Sequence, residues 1–259
     1  MKKILFLIVV SCLILGFSTT TMAETTIYLD VWGGGNYKFD SHYRDEWYVN
    51  DNLLSINTGT AEVDDELSGY TIGFESKFNK IKVGVEYGII NSDVFIKYDG
   101  IKDQNKTDFD FIFAKAKGGY QVIDTEMFEL AIIAEVLDIN GEYNIDNLNK
   151  EVMNIGGNMM GLDFNINFSE YISLQGTLAS SLLGANVYSY EKDPSVTEYI
   201  IKLNYFITDN WALALGYRSY QFSASRSEIE FGGTTDKYIF NAEMEGSLSG
   251  YTLGVAYRF

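Results

Sequence analysis

Cysteine, histidine and proline each occur once in the 259 residues, at Cys12, His42 and Pro194. A single thiol excludes an internal disulfide, and any histidine-based metal site or Ser-His relay would rest on His42 alone. Positive charge is scarce too. Nineteen Lys and Arg stand against 36 Asp and Glu, a formal net charge of -17, which argues against nucleic acid or an anionic membrane face as a partner. No Gly-rich phosphate cradle is present, because Gly33-Gly34-Gly35 follows a strand pattern and opens a loop, not a helix. What is abundant is aromatic: 19 Tyr and 17 Phe, a composition that with so little proline favours strands over helices.

The N-terminus reads as an export signal. Lys2 and Lys3 precede a mostly apolar stretch, residues 4–17, and Thr21-Met22-Ala23 ends it with small residues of the A-x-A kind. That run is too short to span a bilayer. Val9-Val10-Ser11-Cys12 has the outline of a lipobox, but the residues after Cys12 stay apolar where a lipidated protein begins a polar tether. We therefore expect a signal peptide over residues 1–23, cleaved after Ala23. Removing those 23 residues from 259 leaves 236, without cysteine and with a net charge of -19 once Lys2 and Lys3 are gone.

The end of the chain organises the rest. In 250–259 the apolar residues Tyr251, Leu253, Val255, Tyr257 and Phe259 alternate with Gly250, Thr252, Gly254, Ala256 and Arg258, the two-residue period of a strand with one greasy face. A strand that finishes on an aromatic suits a transmembrane barrel, whose lipid face is apolar and whose rim is aromatic. In this the chain resembles the outer-membrane β-barrel proteins of Gram-negative bacteria, which close on a strand ending in Phe with an aromatic two residues earlier. The resemblance implies an outer-membrane location. It also implies contact with lipid and lipopolysaccharide, and delivery to the barrel-assembly machinery through the C-terminal strand.

The same alternation recurs along the chain, for example at Tyr70, Ile72, Phe74 and at Ile81, Val83, Val85, Tyr87. Short turns at 79–80, 123–125, 169–170 and 208–210 separate paired runs, and longer polar stretches at 33–66, 99–106, 140–156, 183–193 and 223–247 read as loops. The pattern predicts an all-β fold: a ten-stranded antiparallel up-and-down transmembrane barrel over 24–259, with short periplasmic turns and long extracellular loops. A β-sandwich shares the short alternating strands. In one strand Phe109, Phe111 and Phe113 share parity with Lys115 and Lys117, so either the lysines face inward below the phenylalanines or a bulge switches the faces. Leu67-Ser68-Gly69-Tyr70-Thr71-Ile72-Gly73 returns as Leu248-Ser249-Gly250-Tyr251-Thr252-Leu253-Gly254, which reads either as hairpin duplication or as one solution to a shared geometry.

Taking the small and polar positions as the lumen places inside the acids Asp30, Glu75, Glu86, Glu129, Glu135, Asp163 and Glu198 and the bases Lys77, Lys82, Lys115, Lys117, Lys202, Arg218 and Arg258. Seven against seven points to ion pairs across a narrow, poorly hydrated interior. Ten tilted strands give a backbone diameter of roughly 20 Å, which side chains mostly fill. Inward glycines either leave a water path or make room for large neighbours such as Tyr28, Trp32 and Tyr220.

Two roles stay open. One is a non-enzymatic surface barrel whose loops bind an extracellular ligand or support envelope integrity; the other is a small porin-like channel for ions or small solutes. An enzymatic reading exists in fragments. Asp108-Phe109-Asp110 and Asp40-Ser41-His42 resemble the Asp pair and Asp-His pair of the omptin proteases, but in the opposite chain order and without further family pattern. Glu62 with Asp64-Asp65-Glu66 forms an acidic cluster without the alternating spacing of a dedicated cation loop. The expectation is no enzyme, no cofactor and no metal.

Overall fold

The computed structural model describes residues 23–50, 52–94, 97–99, 101–102, 107–145, 149–187, 192–232 and 236–259. The expected leader lies outside them except for Ala23, which opens the first strand. The elements are β1 (Ala23–Val49), β2 (Asn52–Phe78), β3 (Ile81–Val94), the two-residue β4 (Lys97–Tyr98) and β5 (Ile101–Lys102), β6 (Thr107–Asp124), β7 (Phe128–Ile145), β8 (Asn149–Asn167), β9 (Ile172–Val187), β10 (Lys192–Phe206), β11 (Trp211–Gly232) and β12 (Asp236–Arg258). Ten long antiparallel strands run in chain order around a ring, and β1 pairs with both β2 and β12 to close it. Closure excludes the sandwich and leaves the membrane-crossing part of the wall without an edge.

Four tight connections lie at one end, together with the start of β1 and the end of β12. Asn79 adopts the left-handed conformation (φ 52°) that a two-residue hairpin turn requires. Thr125 and Thr208 each accept, on Oγ1, the backbone N–H three residues on, at 3.0 Å, a side-chain substitute for a missing ladder bond. The Phe259 N–H donates to the Thr25 carbonyl at 2.9 Å and stitches the residue after β12 to the start of β1.

Above these turns the outer face is a belt of exposed aliphatic side chains, with Leu215 58% and Leu253 63% exposed. A water-soluble domain would bury such residues. Tyr120, Tyr171, Tyr205, Trp211 and Phe259 ring the turn side of the belt, and Tyr70, Tyr199, Tyr217 and Tyr251 ring the other. This is a lipid-facing surface with two aromatic girdles, the exterior of a transmembrane barrel.

The stretches expected as loops are largely strand. β1 and β2 run 27 residues each and β11 and β12 run 22 and 23, whereas crossing the hydrocarbon takes about ten. Gly33-Gly34-Gly35, expected to end β1, is a bulge within it: the register slips between Gly33 and Asn36 against β12, and Gly34 sits at φ 59°. Before the bulge Asp30 and Trp32 are buried; after it Tyr37 and Ser41 are. The extra residue has moved the inward face from even to odd positions. A side chain at Gly35 would meet the Ser249 carbonyl oxygen at 2.3 Å and the Leu67 side chain at 2.8 Å. The repeated Leu-Ser-Gly-Tyr-Thr segments lie in β2 and β12, on either side of this bulge. Their placement fits the shared-geometry reading, with Leu67 and Leu248 buried beside the kink.

Candidate functional site

The lumen has two layers, and the strands change character between them. Within the membrane the outside is apolar, so polar side chains turn inward; beyond the upper girdle the outside is wet and the preference inverts. β6 carries both regimes. Phe109, Phe111 and Phe113 point inward above, Lys115 and Lys117 point inward below, and no bulge separates them. β11 does the same in the other direction, with Arg218 below and Tyr220, Phe222 and Ala224 above.

The lower layer gathers the predicted lumenal charges. Arg218, 1% exposed, makes a two-pronged contact with Glu86, with Nη2 to Oε2 at 2.6 Å. Lys115 lies between Glu198 at 2.8 Å and Glu86 at 3.4 Å. Lys117 bridges Glu75 and Asp163 at 2.8 Å each, and Lys202 pairs with Asp30. Nearer the turns Lys77 and Lys82 share Glu129 at 2.9 and 3.5 Å. Partners that the parity reading missed are Asp124, 3.3 Å from Lys77, Glu24, 3.0 Å from Arg258, and Thr177, whose hydroxyl donates to Asp163 at 2.5 Å. Glu135 departs from the pattern: it is 3% exposed, and it faces a second buried carboxyl, Glu198. A cavity of about 110 Å³ lies among these charges, lined by Tyr28, Asp30, Lys117, Asp163 and Arg218 among others. It has room for a few waters.

The upper layer is an apolar plug. Trp32, Phe113 and Tyr220 surround the Arg218 guanidinium, each ring centroid 5.7 Å from it, a cation–π cage for a charge removed from water. Trp32 stacks on Tyr220 at 6.4 Å, and Tyr37 meets Phe111 edge-on at 5.1 Å. All are at most 1% exposed. Sequence reading placed Trp32 and Tyr220 inside a largely filled lumen but missed the cage they form with Phe113 over Arg218, because no single strand shows which residues the closed ring brings together.

The inward glycines accommodate bulk. A side chain at Gly88 would fall 2.2 Å from the Phe113 ring, and one at Gly73 would fall 2.1 Å from the Tyr28 ring. Rings from neighbouring strands lie flat across the positions where those side chains would stand.

The omptin-like fragments are not brought together. Asp40 and His42 are exposed on the outer face of β1, His42 Nε2 3.3 Å from Asp40 Oδ1. Asp110 is exposed on the outer face of β6, with β2 and β3 between. The acidic cluster is also divided, because strand alternation puts Glu62, Asp64 and Glu66 on one face of β2 and Asp65 on the other. Among the described residues no group of three carboxylates, cysteines or histidines is placed to hold a metal. The five residues of the closing signature lie in β12 and its end, with Tyr251, Leu253, Val255 and Phe259 exposed toward lipid.

No known family matches the chain, and no curated protein does. Several solved structures are similar to it. They include Ail of Yersinia pestis in complex with the heparin analogue sucrose octasulfate, at 11% identity over 92% of this chain and 100% of that one with a TM-score of 0.33. Neisserial surface protein A is similar at 13% identity over 90% and 97%, with a TM-score of 0.32. The translocator domain of the autotransporter NalP from Neisseria meningitidis is similar at 14% over 94% and 91%, with a TM-score of 0.39. The fold itself rests on the strand pairing and the lipid-facing belt.

Proposed function

We propose that this chain is a non-enzymatic outer-membrane barrel whose lumen is closed and whose extended strands present a binding surface outside the cell. The observation that carries the reading is the plug: Trp32, Phe113 and Tyr220 are at most 1% exposed and sit directly above Arg218, whose two terminal nitrogens engage Glu86. A pore needs a continuous wet path, and the ring of ion pairs beneath the plug spans the interior. The outer-membrane address is supported by the expected export signal, the aromatic-terminated closing strand and the lipid-facing belt. On this reading the C-terminal strand is what the barrel-assembly machinery recognises, and the belt contacts outer-membrane lipid and lipopolysaccharide.

The projecting part is built to meet a partner. β1, β2, β11 and β12 continue beyond the belt as one four-stranded sheet, roughly 40 Å further if about fifteen residues rise at the tilt of a barrel strand. The test is solute entry. Liposomes carrying the refolded protein should not swell in an isotonic solution of a small sugar, whereas swelling at porin rates would establish the channel reading instead.

A further inference from the structure

The projecting sheet has an edge. β3 joins β2 only from Leu67 onward, β4 covers Ala61 and Glu62, and there the chain turns back, with the Asp99 N–H on the Thr60 carbonyl at 2.9 Å. Beyond that turn, residues 52–59 of β2 pair with β1 alone among the described residues. Among the described residues nothing pairs with the backbone donors and acceptors on their other side. Proteins normally guard such an edge with lysine, proline or an inward charge. Here residues 52–59 contain none of these, and Leu54 and Ile56 are 59% and 46% exposed. A register shift leaves Leu54 as an extra residue, so the regular ladder runs from Ser55 to Gly59.

The surroundings select the occupant. Within 36–66 and 223–249, the segments that form the sheet, the sequence carries 13 Asp and Glu against four Lys and Arg. A second copy would bring the same negative field against this one, and an acidic segment would be repelled. One strand inward, Asp45 lies opposite Asn57 and Glu46 opposite Ile56, on opposite faces of the sheet. The Tyr238 hydroxyl donates a hydrogen bond to the Asp45 carboxylate, one oxygen of which remains without a partner. A strand added beside β2 would lie about 10 Å from β1, within the reach of a lysine or arginine side chain.

We infer that residues 55–59 of β2 accept an extended cationic polypeptide segment as an additional strand. Its cationic side chains turn to the Asp45 face and its apolar ones lie beside Ile56. The inference rests on the surface-binding reading and names its partner class. Backbone pairing supplies affinity, and the alternation of charged and apolar residues supplies selection.

The probe is a fluorescent peptide alternating lysine and valine, titrated by anisotropy into the refolded barrel in detergent. It should bind at least about tenfold more tightly than a glutamate–valine peptide, and N-methylation at alternate residues should weaken it at least about tenfold, the scale of one or two lost hydrogen bonds. Ile56→Lys should weaken binding similarly, while Phe231→Lys, on the far edge of the sheet, should leave it unchanged. Equal binding of the N-methylated peptide would place the contact on a sheet face and overturn the inference. So would equal binding of the acidic peptide, or self-association that Ile56→Lys abolishes and the peptide does not displace. Because the liposome assay reads the lumen independently, failure here with silent liposomes discards the partner class and not the closed barrel.

Discussion

Arg218 is where the account is most exposed to a single substitution. It is 1% exposed, engages both oxygens of Glu86, approaches Glu198 at 3.9 Å and fills the cage beneath the plug. Replacing it with methionine keeps much of its length and removes its charge. Glu86 and Glu198 then share Lys115 alone, at 3.4 and 2.8 Å. Leaving a buried charge without its partner costs about 3–5 kcal/mol, whereas removing both members of a buried pair is often near neutral. Arg218→Met should therefore lower the unfolding free energy by about 3–5 kcal/mol, and adding Glu86→Gln should restore at least about 2 kcal/mol of it. Reversible urea unfolding in lipid vesicles, followed by tryptophan emission and by the mobility shift of folded barrels on unheated gels, measures both. A single variant costing under about 1 kcal/mol, or a double variant no better than the single, would show that the lumenal charges are solvated and that the interior is wet.

Three further outcomes follow from the same geometry. Gly88→Ala places a methyl group 2.2 Å from Phe113 and 2.7 Å from Thr71, and should destabilise the barrel by about 1–3 kcal/mol in the same assay; a neutral result would mean that the glycine borders open space. Glu135→Gln sets an amide donor against the buried Glu198 carboxylate in place of a second carboxyl, and should stabilise the barrel by about 1 kcal/mol or more, against the usual sign for a core substitution. On the projecting sheet, the Tyr48 hydroxyl donates to Glu46 at 2.6 Å and Arg44 adds a second contact, so the Glu46 carboxyl titrates below its ordinary range. A lowered carboxylate pKa favours the folded sheet above the ordinary titration range and loses that preference as pH falls through the lowered one. Tyr48→Phe should move the titration back up in carboxyl carbon NMR.

Much of the wall was legible because the membrane imposes one rule on it. Between the girdles a strand shows lipid one face and the lumen the other, so alternation alone located the lumenal charges and the lipid-facing side of β12. The projecting strands were not legible because the rule reverses there. Asn36, Lys38 and Asp40 are polar because they face water, and Tyr37 and Ser41 are buried because they face the interior. Read with lipid-face logic, such a stretch has no strand signal and passes for a loop. Gly33-Gly34-Gly35 reinforced the error, since a triple glycine reads as a stop when only sequence is in view and as a bulge once β2 and β12 are seen on either side. The plug was legible in part, since Trp32 and Tyr220 already read as inward-facing. Phe113 and Trp32 are ordinary aromatic residues in their own strands, and only the closed ring brings them over Arg218.

Planar-bilayer recording of the refolded protein, beside a variant carrying Trp32→Ala, Phe113→Ala and Tyr220→Ala, tests the central claim most directly. The wild-type barrel should be silent and the triple variant, which removes the rings around Arg218, should show discrete conductance steps. Steps of equal size from both proteins would contradict the closed lumen and make this chain a channel.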